Sequence, residues 1–99
     1  MNKKENINYF ISLSNSETEY GEPQLWIYLD NGRSVEITHE EYNLPEDKQF
    51  YSVRLHCSEK EFDDDIFYAT CGVIDYSVFE YFDKGKIDAW VRKVKEIKA

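Results

Sequence analysis

Apolar and polar residues alternate along much of this chain, which predicts a protein built chiefly from half-buried strands. Ile7, Tyr9, Ile11 and Leu13 alternate with Asn8 and Ser12, so an N-terminal strand is expected from Ile7, with residues 1–6 frayed. Ser14–Pro23 is polar and carries a glycine and a proline, the composition of a turn region. Gln24–Leu29 and Arg33–Ile37 flank Asp30-Asn31-Gly32, the strongest hairpin signal in the chain. A two-residue loop at Asn31-Gly32 would set apolar residues opposite polar ones. A three-residue loop with Gly32 left-handed sets Leu25 opposite Ile37 and Ile27 opposite Val35, and is the register expected. Trp26 and Tyr28 then share the other face with Ser34 and Glu36.

Thr38-His39-Glu40-Glu41 fits a capping box and predicts one helical turn ending near Leu44-Pro45. A second hairpin is expected from Phe50–Cys57 and Ile66–Ile74. Centred on Phe62, it pairs Cys57, Leu55, Val53 and Tyr51 with Phe67, Ala69, Cys71 and Val73 on an apolar face, and leaves Ser52, Arg54 and His56 beside Tyr68, Thr70 and Gly72 on the other. Tyr76–Phe82 holds a second capping box, Ser77 to Glu80, and is read as a short helix against its strand-like composition. After the break Asp83-Lys84-Gly85-Lys86, residues Ile87, Trp90, Val91, Val94 and Ile97 repeat at helical spacing and mark one buried helix face, with Trp90 expected in the core. The sum is an α+β fold: about five antiparallel strands, formed by two hairpins plus an N-terminal strand, with a C-terminal helix on one face. At 99 residues a single domain spanning 1–99 is expected.

Charge sharpens this picture. Residues 1–83 carry 18 acidic and 6 basic side chains, and the last sixteen residues reverse the balance with 6 basic against 2 acidic, for a whole-chain net charge of −8. Such a field repels nucleic acid and anionic membranes and attracts basic protein surfaces. The basic end also suits the negative pole of the C-terminal helix. With 8 Tyr, 6 Phe and 2 Trp, a core this small cannot enclose every ring, so an exposed aromatic patch is expected. No segment approaches the ~20 apolar residues of a membrane span, and the apolar run after Met1-Asn2-Lys3-Lys4 is too short for an export signal. Two cysteines, Cys57 and Cys71, are too few for a disulfide framework, which together with the missing signal predicts a cytoplasmic protein.

Candidate chemistry falls away on spacing. His56 and Cys57 are adjacent on a strand and point to opposite faces, so they cannot share a proton. Cys57 and Cys71 are too far out of register for a disulfide. His39-Glu40-Glu41-Tyr42-Asn43 lacks the second histidine of a zinc-protease motif. Glu61-Phe62-Asp63-Asp64-Asp65 opens like a calcium loop but meets Ile66 and Gly72 where Gly and Glu are needed. Only four glycines are present, and none forms a phosphate-binding loop. No catalytic residue, metal site or cofactor is therefore expected, and the chain is read as a binding protein rather than an enzyme.

The run Glu59-Lys60-Glu61-Phe62-Asp63-Asp64-Asp65 carries the sharpest expectation. Extended, it would aim Glu59, Glu61, Asp63 and Asp65 one way at ~6.6 Å intervals. That is near two phosphate steps of a DNA strand at ~3.4 Å each. With Asp64 and the aromatic residues Trp26, Tyr28 and Tyr68, these residues are the expected partner-binding surface. The expected partner is a basic protein, a nuclease or another nucleic-acid-handling enzyme, neutralised either by an anti-defence protein of a phage or mobile element, such as an anti-CRISPR, or by an immunity protein guarding against a nuclease toxin. A homodimer formed through the Trp26 and Tyr28 face is the alternative reading.

Overall fold

The structure, a computed structural model, describes residues 2–61 and 72–95. Its first element corrects the sequence reading: Lys3–Leu13 is a helix, α1, not a strand, and Lys3–Asn6 form its first turn rather than a frayed end. Asn2 caps it. Its side-chain oxygen accepts from the Glu5 N–H at 2.8 Å while its own N–H donates to Glu5 Oε1 at 3.3 Å, a reciprocal capping box. At helical spacing the residues turned inward are Asn6, Ile7 and Phe10, while Ile11 and Leu13, which completed the apparent alternation, are exposed.

Five antiparallel strands follow in spatial order β1-β2-β3-β4-β5: β1 Ser16–Glu17, β2 Pro23–Tyr28, β3 Ser34–Glu40, β4 Phe50–His56 and β5 Val73–Phe79. The β2–β3 hairpin has the expected register, Leu25 opposite Ile37 and Ile27 opposite Val35. The Leu29 N–H donates to the Arg33 carbonyl at 2.8 Å, closing a three-residue loop in which Gly32 has φ +86°. Glycine suits this position because a side chain at that φ is strained, and a Cβ would also sit in a tight contact 3.2 Å from the Ser58 Cβ.

The helical turn expected at Thr38–Glu41 does not form. Those residues continue β3 to Glu40, and the strand stops where Glu41 adopts φ +60°, its N–H held by Glu22 Oε2 at 3.0 Å. A short 3-10 turn, Glu46–Lys48, leads into β4.

The second hairpin is displaced. Tyr51 pairs with Phe79, Val53 with Ser77 and Leu55 with Asp75, with a bulge beside His56, so the partner of β4 lies about six residues later than expected. The helix expected at Tyr76–Phe82 is instead mostly the second half of β5. Pairing with the free edge of β4 outweighs the local capping signal at Ser77–Glu80, since Val, Ile and Tyr suit a pleated surface. The expected partners Phe67, Ala69 and Cys71 lie outside the described residues.

The last element, α2, spans Lys84–Lys95, beginning within the expected break. Asp83 starts it by accepting from the Lys86 N–H at 3.1 Å. Ile87 and Val94 are buried, and Trp90, expected in the core, is half-buried. Phe10 from α1 and Ile87 and Val94 from α2 meet Val35, Ile37, Tyr51, Val53 and Leu55 in one core. Both helices thus cover the same sheet face, where a single C-terminal helix was expected. No described helix is long and apolar enough to cross a membrane.

Candidate interaction face

Because strand side chains alternate, the residues between the core positions form a second sheet face, and among the described residues no helix packs over it. Trp26 and Tyr28 from β2, Glu36, Thr38 and Glu40 from β3, Ser52, Arg54 and His56 from β4, and Tyr76 and Val78 from β5 stand on it.

Its centre is a hydrogen-bonded lattice. The Trp26 indole N–H donates to Gln24 Oε1 at 3.2 Å, Gln24 Nε2 donates to Thr38 Oγ1 at 3.0 Å, and the Thr38 hydroxyl donates to Glu36 Oε2 at 2.7 Å. Arg54 reaches the same Glu36 oxygen at 3.1 Å, and His56 Nε2 bonds Glu36 Oε1 at 3.1 Å. Arg54 also donates to the Ser52 hydroxyl at 2.9 Å, which donates to Glu40 Oε1 at 2.7 Å. Rings cap the lattice: Trp26 lies 5.0 Å from the His56 ring, and the Arg54 guanidinium sits 5.2 Å from the Tyr76 centroid.

Glu36 is the hub. The His56 hydrogen bond, followed by those of Thr38 and the charge of Arg54, holds its carboxyl below the ordinary range despite the opposing cost of burial. Shared bonds of this kind restrict the rotamers of the side chains that make them. Around this polar centre Tyr28, Tyr76 and Val78 remain 77%, 51% and 49% exposed.

An acidic hollow lies at each end of β3, about 20 Å apart by strand rise. One, about 630 Å³, is lined by Asp30, Gly32, Glu59 and Lys60 among others. The other, about 430 Å³, is lined by Tyr20, Glu22, Glu40, Glu41, Tyr42 and Leu44, with no basic side chain among the described residues that line it.

The expected site residues divide. Trp26 and Tyr28 stand together on the helix-free face, Tyr28 open to solvent and Trp26 half-buried against His56. Glu59 is exposed on the rim of the first hollow. The extended acidic row does not form over Glu59–Glu61, which is a turn closed by the Glu61 N–H on the Ser58 carbonyl at 3.1 Å. Glu61 faces inward to buried Arg33, whose Nε donates to both carboxylate oxygens at 3.0 and 3.2 Å and keeps the Glu61 carboxyl below its ordinary range. Asp63, Asp64, Asp65 and Tyr68 lie outside the described residues.

Sequence reasoning placed Glu36, Ser52, Arg54 and His56 on the polar side of their strands without seeing that they form one lattice. Tyr76 and Val78 escape it because the capping box Ser77 to Glu80 points to a helix over Tyr76–Phe82, where the second half of β5 runs. Among the described residues no His, Cys, Asp and Glu side chains group as metal ligands. His39 is a core residue, bonded through Nε2 to Gln49 Oε1 at 2.8 Å. No known protein family, curated protein or solved structure matches the chain.

Proposed function

We propose that this chain is a small acidic binding protein, working in the cytoplasm, that occupies a basic surface of a nuclease or other nucleic-acid-handling enzyme and so inhibits it. The observation that carries this reading is the helix-free sheet face, with Tyr28, Trp26, Tyr76 and Val78 around a polar lattice and acidic hollows at its ends. Tyr and Trp supply contact area at low entropic cost, and side chains already restricted by the lattice lose less freedom on docking. The surplus of carboxylates steers a basic partner toward that face and disfavours nucleic acid itself. The biological setting is an anti-defence protein acting on a guide-RNA-dependent nuclease; an immunity protein against a nuclease toxin is the same physics with another partner.

The test is an inhibition and binding screen against guide-RNA-dependent nucleases and nuclease toxins at low and high salt. Inhibition that weakens as salt rises, with faster dissociation for Trp26→Ala and Tyr28→Ala, supports the reading. Binding indifferent to both salt and these variants overturns it.

A further inference from the structure

We infer that two copies of this chain join through the outer edge of β5, with Tyr76 of each facing Val78 of the other across a two-fold axis at Ser77. β5 ends the sheet, and among the described residues no strand pairs with its far edge. The opposite edge, β1, is only two residues long, whereas β5 has seven residues and a single charge, Asp75. Proteins ordinarily blunt long edges of this composition with lysine, proline or a covering element.

Backbone parity determines what the edge offers. The Leu29 to Arg33 bond makes Ile27 and Val35 a hydrogen-bonded pair, since such pairs recur at every second position of an antiparallel ladder. Carried through the β3–β4 and β4–β5 registers, the same alternation aims the N–H and C=O groups of Ser77 and Phe79 at β4. Those of Tyr76 and Val78 therefore point away from the sheet. In agreement, the Tyr76 N–H is taken by the Asp75 carboxylate at 2.9 Å, a side-chain acceptor standing where a neighbouring strand would supply a carbonyl.

This edge is complementary to itself. With two copies antiparallel and Ser77 on the axis, Tyr76 and Val78 of each exchange backbone bonds with Val78 and Tyr76 of the other, satisfying every outward group of the two residues. The half-exposed Tyr76 and Val78 side chains then meet across the seam as aromatic and β-branched neighbours. Asp75 falls opposite Phe79 of the second copy rather than its own counterpart, so the charge within the strand does not oppose the pairing. The contact uses up the same edge on both chains and closes at two. It is small beside the ~1,200–2,000 Å² of a stable interface, so the dimer forms at micromolar concentrations or above.

The inference is independent of the basic-partner reading, and salt separates them. Each copy carries a net charge of −8, so screening favours self-association while it weakens docking to a basic surface. The experiment is sedimentation equilibrium of the full chain across concentration at low and high salt. The expected mass rises from 11.8 kDa toward twice that, more readily at high salt. Val78→Lys, a change at an exposed position, should weaken association about tenfold or more with the circular dichroism unchanged. Ser77→Cys, with Cys57→Ser and Cys71→Ser, should give a disulfide-linked dimer, because residues opposed on such an axis lie ~4.5 Å apart at Cα. A chain that stays monomeric overturns the inference. So does a dimer indifferent to Val78→Lys and not captured by Ser77→Cys, which must use another surface such as the Trp26 and Tyr28 face. Amide-exchange protection of Tyr76 and Val78 that arises only when an inhibited nuclease is added would assign the edge to the partner and also overturn it.

Discussion

The Asn6 carboxamide and the Phe82 backbone are joined twice across 76 residues of chain: Asn6 Nδ2 donates to the Phe82 carbonyl at 2.6 Å, and the Phe82 N–H donates to Asn6 Oδ1 at 2.8 Å. Both residues are buried, so one side chain plays the part of a neighbouring strand and ties α1 to the segment between β5 and α2. Asn6→Ala should leave two buried backbone groups unpaired and cost about 2–4 kcal/mol in urea unfolding. A cost below about 1 kcal/mol would show that water replaces the amide.

Tyr51 carries a different kind of polar group. Its hydroxyl is buried with no hydrogen-bond partner among the described residues, and burial pushes its pKa up to about 12. Tyr51→Phe should therefore be neutral or stabilising by ~1 kcal/mol, since it removes an unsatisfied group and keeps the ring contacts with Phe10 and His39. In the parent, the unfolded phenol ionises near pH 10 while the folded one does not, so stability falls from pH 10 toward 12. Thermal melts above pH 10 should show this loss in the parent and not in the variant.

His39 sets the acid side. Gln49 Nε2 donates to the Leu44 and Tyr42 carbonyls, so its Oε1 accepts from His39 Nε2–H and leaves the buried Nδ1 as an acceptor with no partner among the described residues. Burial holds its pKa below the ordinary 6.5; nearby Lys3 adds to this, while the Gln49 bond works the other way. A depressed histidine favours the fold above the unfolded pKa, and that stability drains away as pH falls below 6.5. His39→Gln should flatten the dependence of the unfolding midpoint on pH in that window. Glu36, also depressed, contributes in a lower window, below its ordinary 4.5, and should be untouched by this change.

Gly32→Ala tests the hairpin. A side chain at φ +86° is strained, and the new Cβ meets the Ser58 Cβ at 3.2 Å, so the loss should be about 1–2 kcal/mol. Asn31→Ala, which removes only the Oδ1 acceptor of the Arg33 N–H, should cost less. Denaturant midpoints of the two variants give the comparison, and equal costs would mean that the left-handed turn is not what Gly32 supplies.

Arg54 tests the lattice. Arg54→Ala removes the cation shared by Glu36 and Glu40, which stand 12% and 21% exposed, and the contact with the Tyr76 ring. The expected cost is about 1–3 kcal/mol, as for leaving partly buried acceptors unsatisfied. Partner dissociation should also quicken, because the face loses the centre of its lattice. Unchanged stability with altered binding would place Arg54 in direct contact with the partner.

The chain by itself determined the elements whose reasons are local. Asp30-Asn31-Gly32 with alternation on either side dictates one hairpin register, because a one-residue slip would turn Leu25 and Ile27 away from the core. The spacing of Ile87, Val91 and Val94 likewise admits only a helix. Tertiary structure decided the rest. Ile7 to Leu13 satisfies strand alternation and helical spacing alike, and the choice rests partly on Asn6 meeting Phe82, 76 residues away and without a local signature. Tyr76 to Phe79 is a strand because β4 had an edge to pair, and that pairing alone brings Arg54 under Tyr76. The lattice around Glu36 follows from registers across three strands. Short-range geometry is written in neighbouring residues, whereas a contact between distant segments becomes favourable only after folding has closed the loop between them.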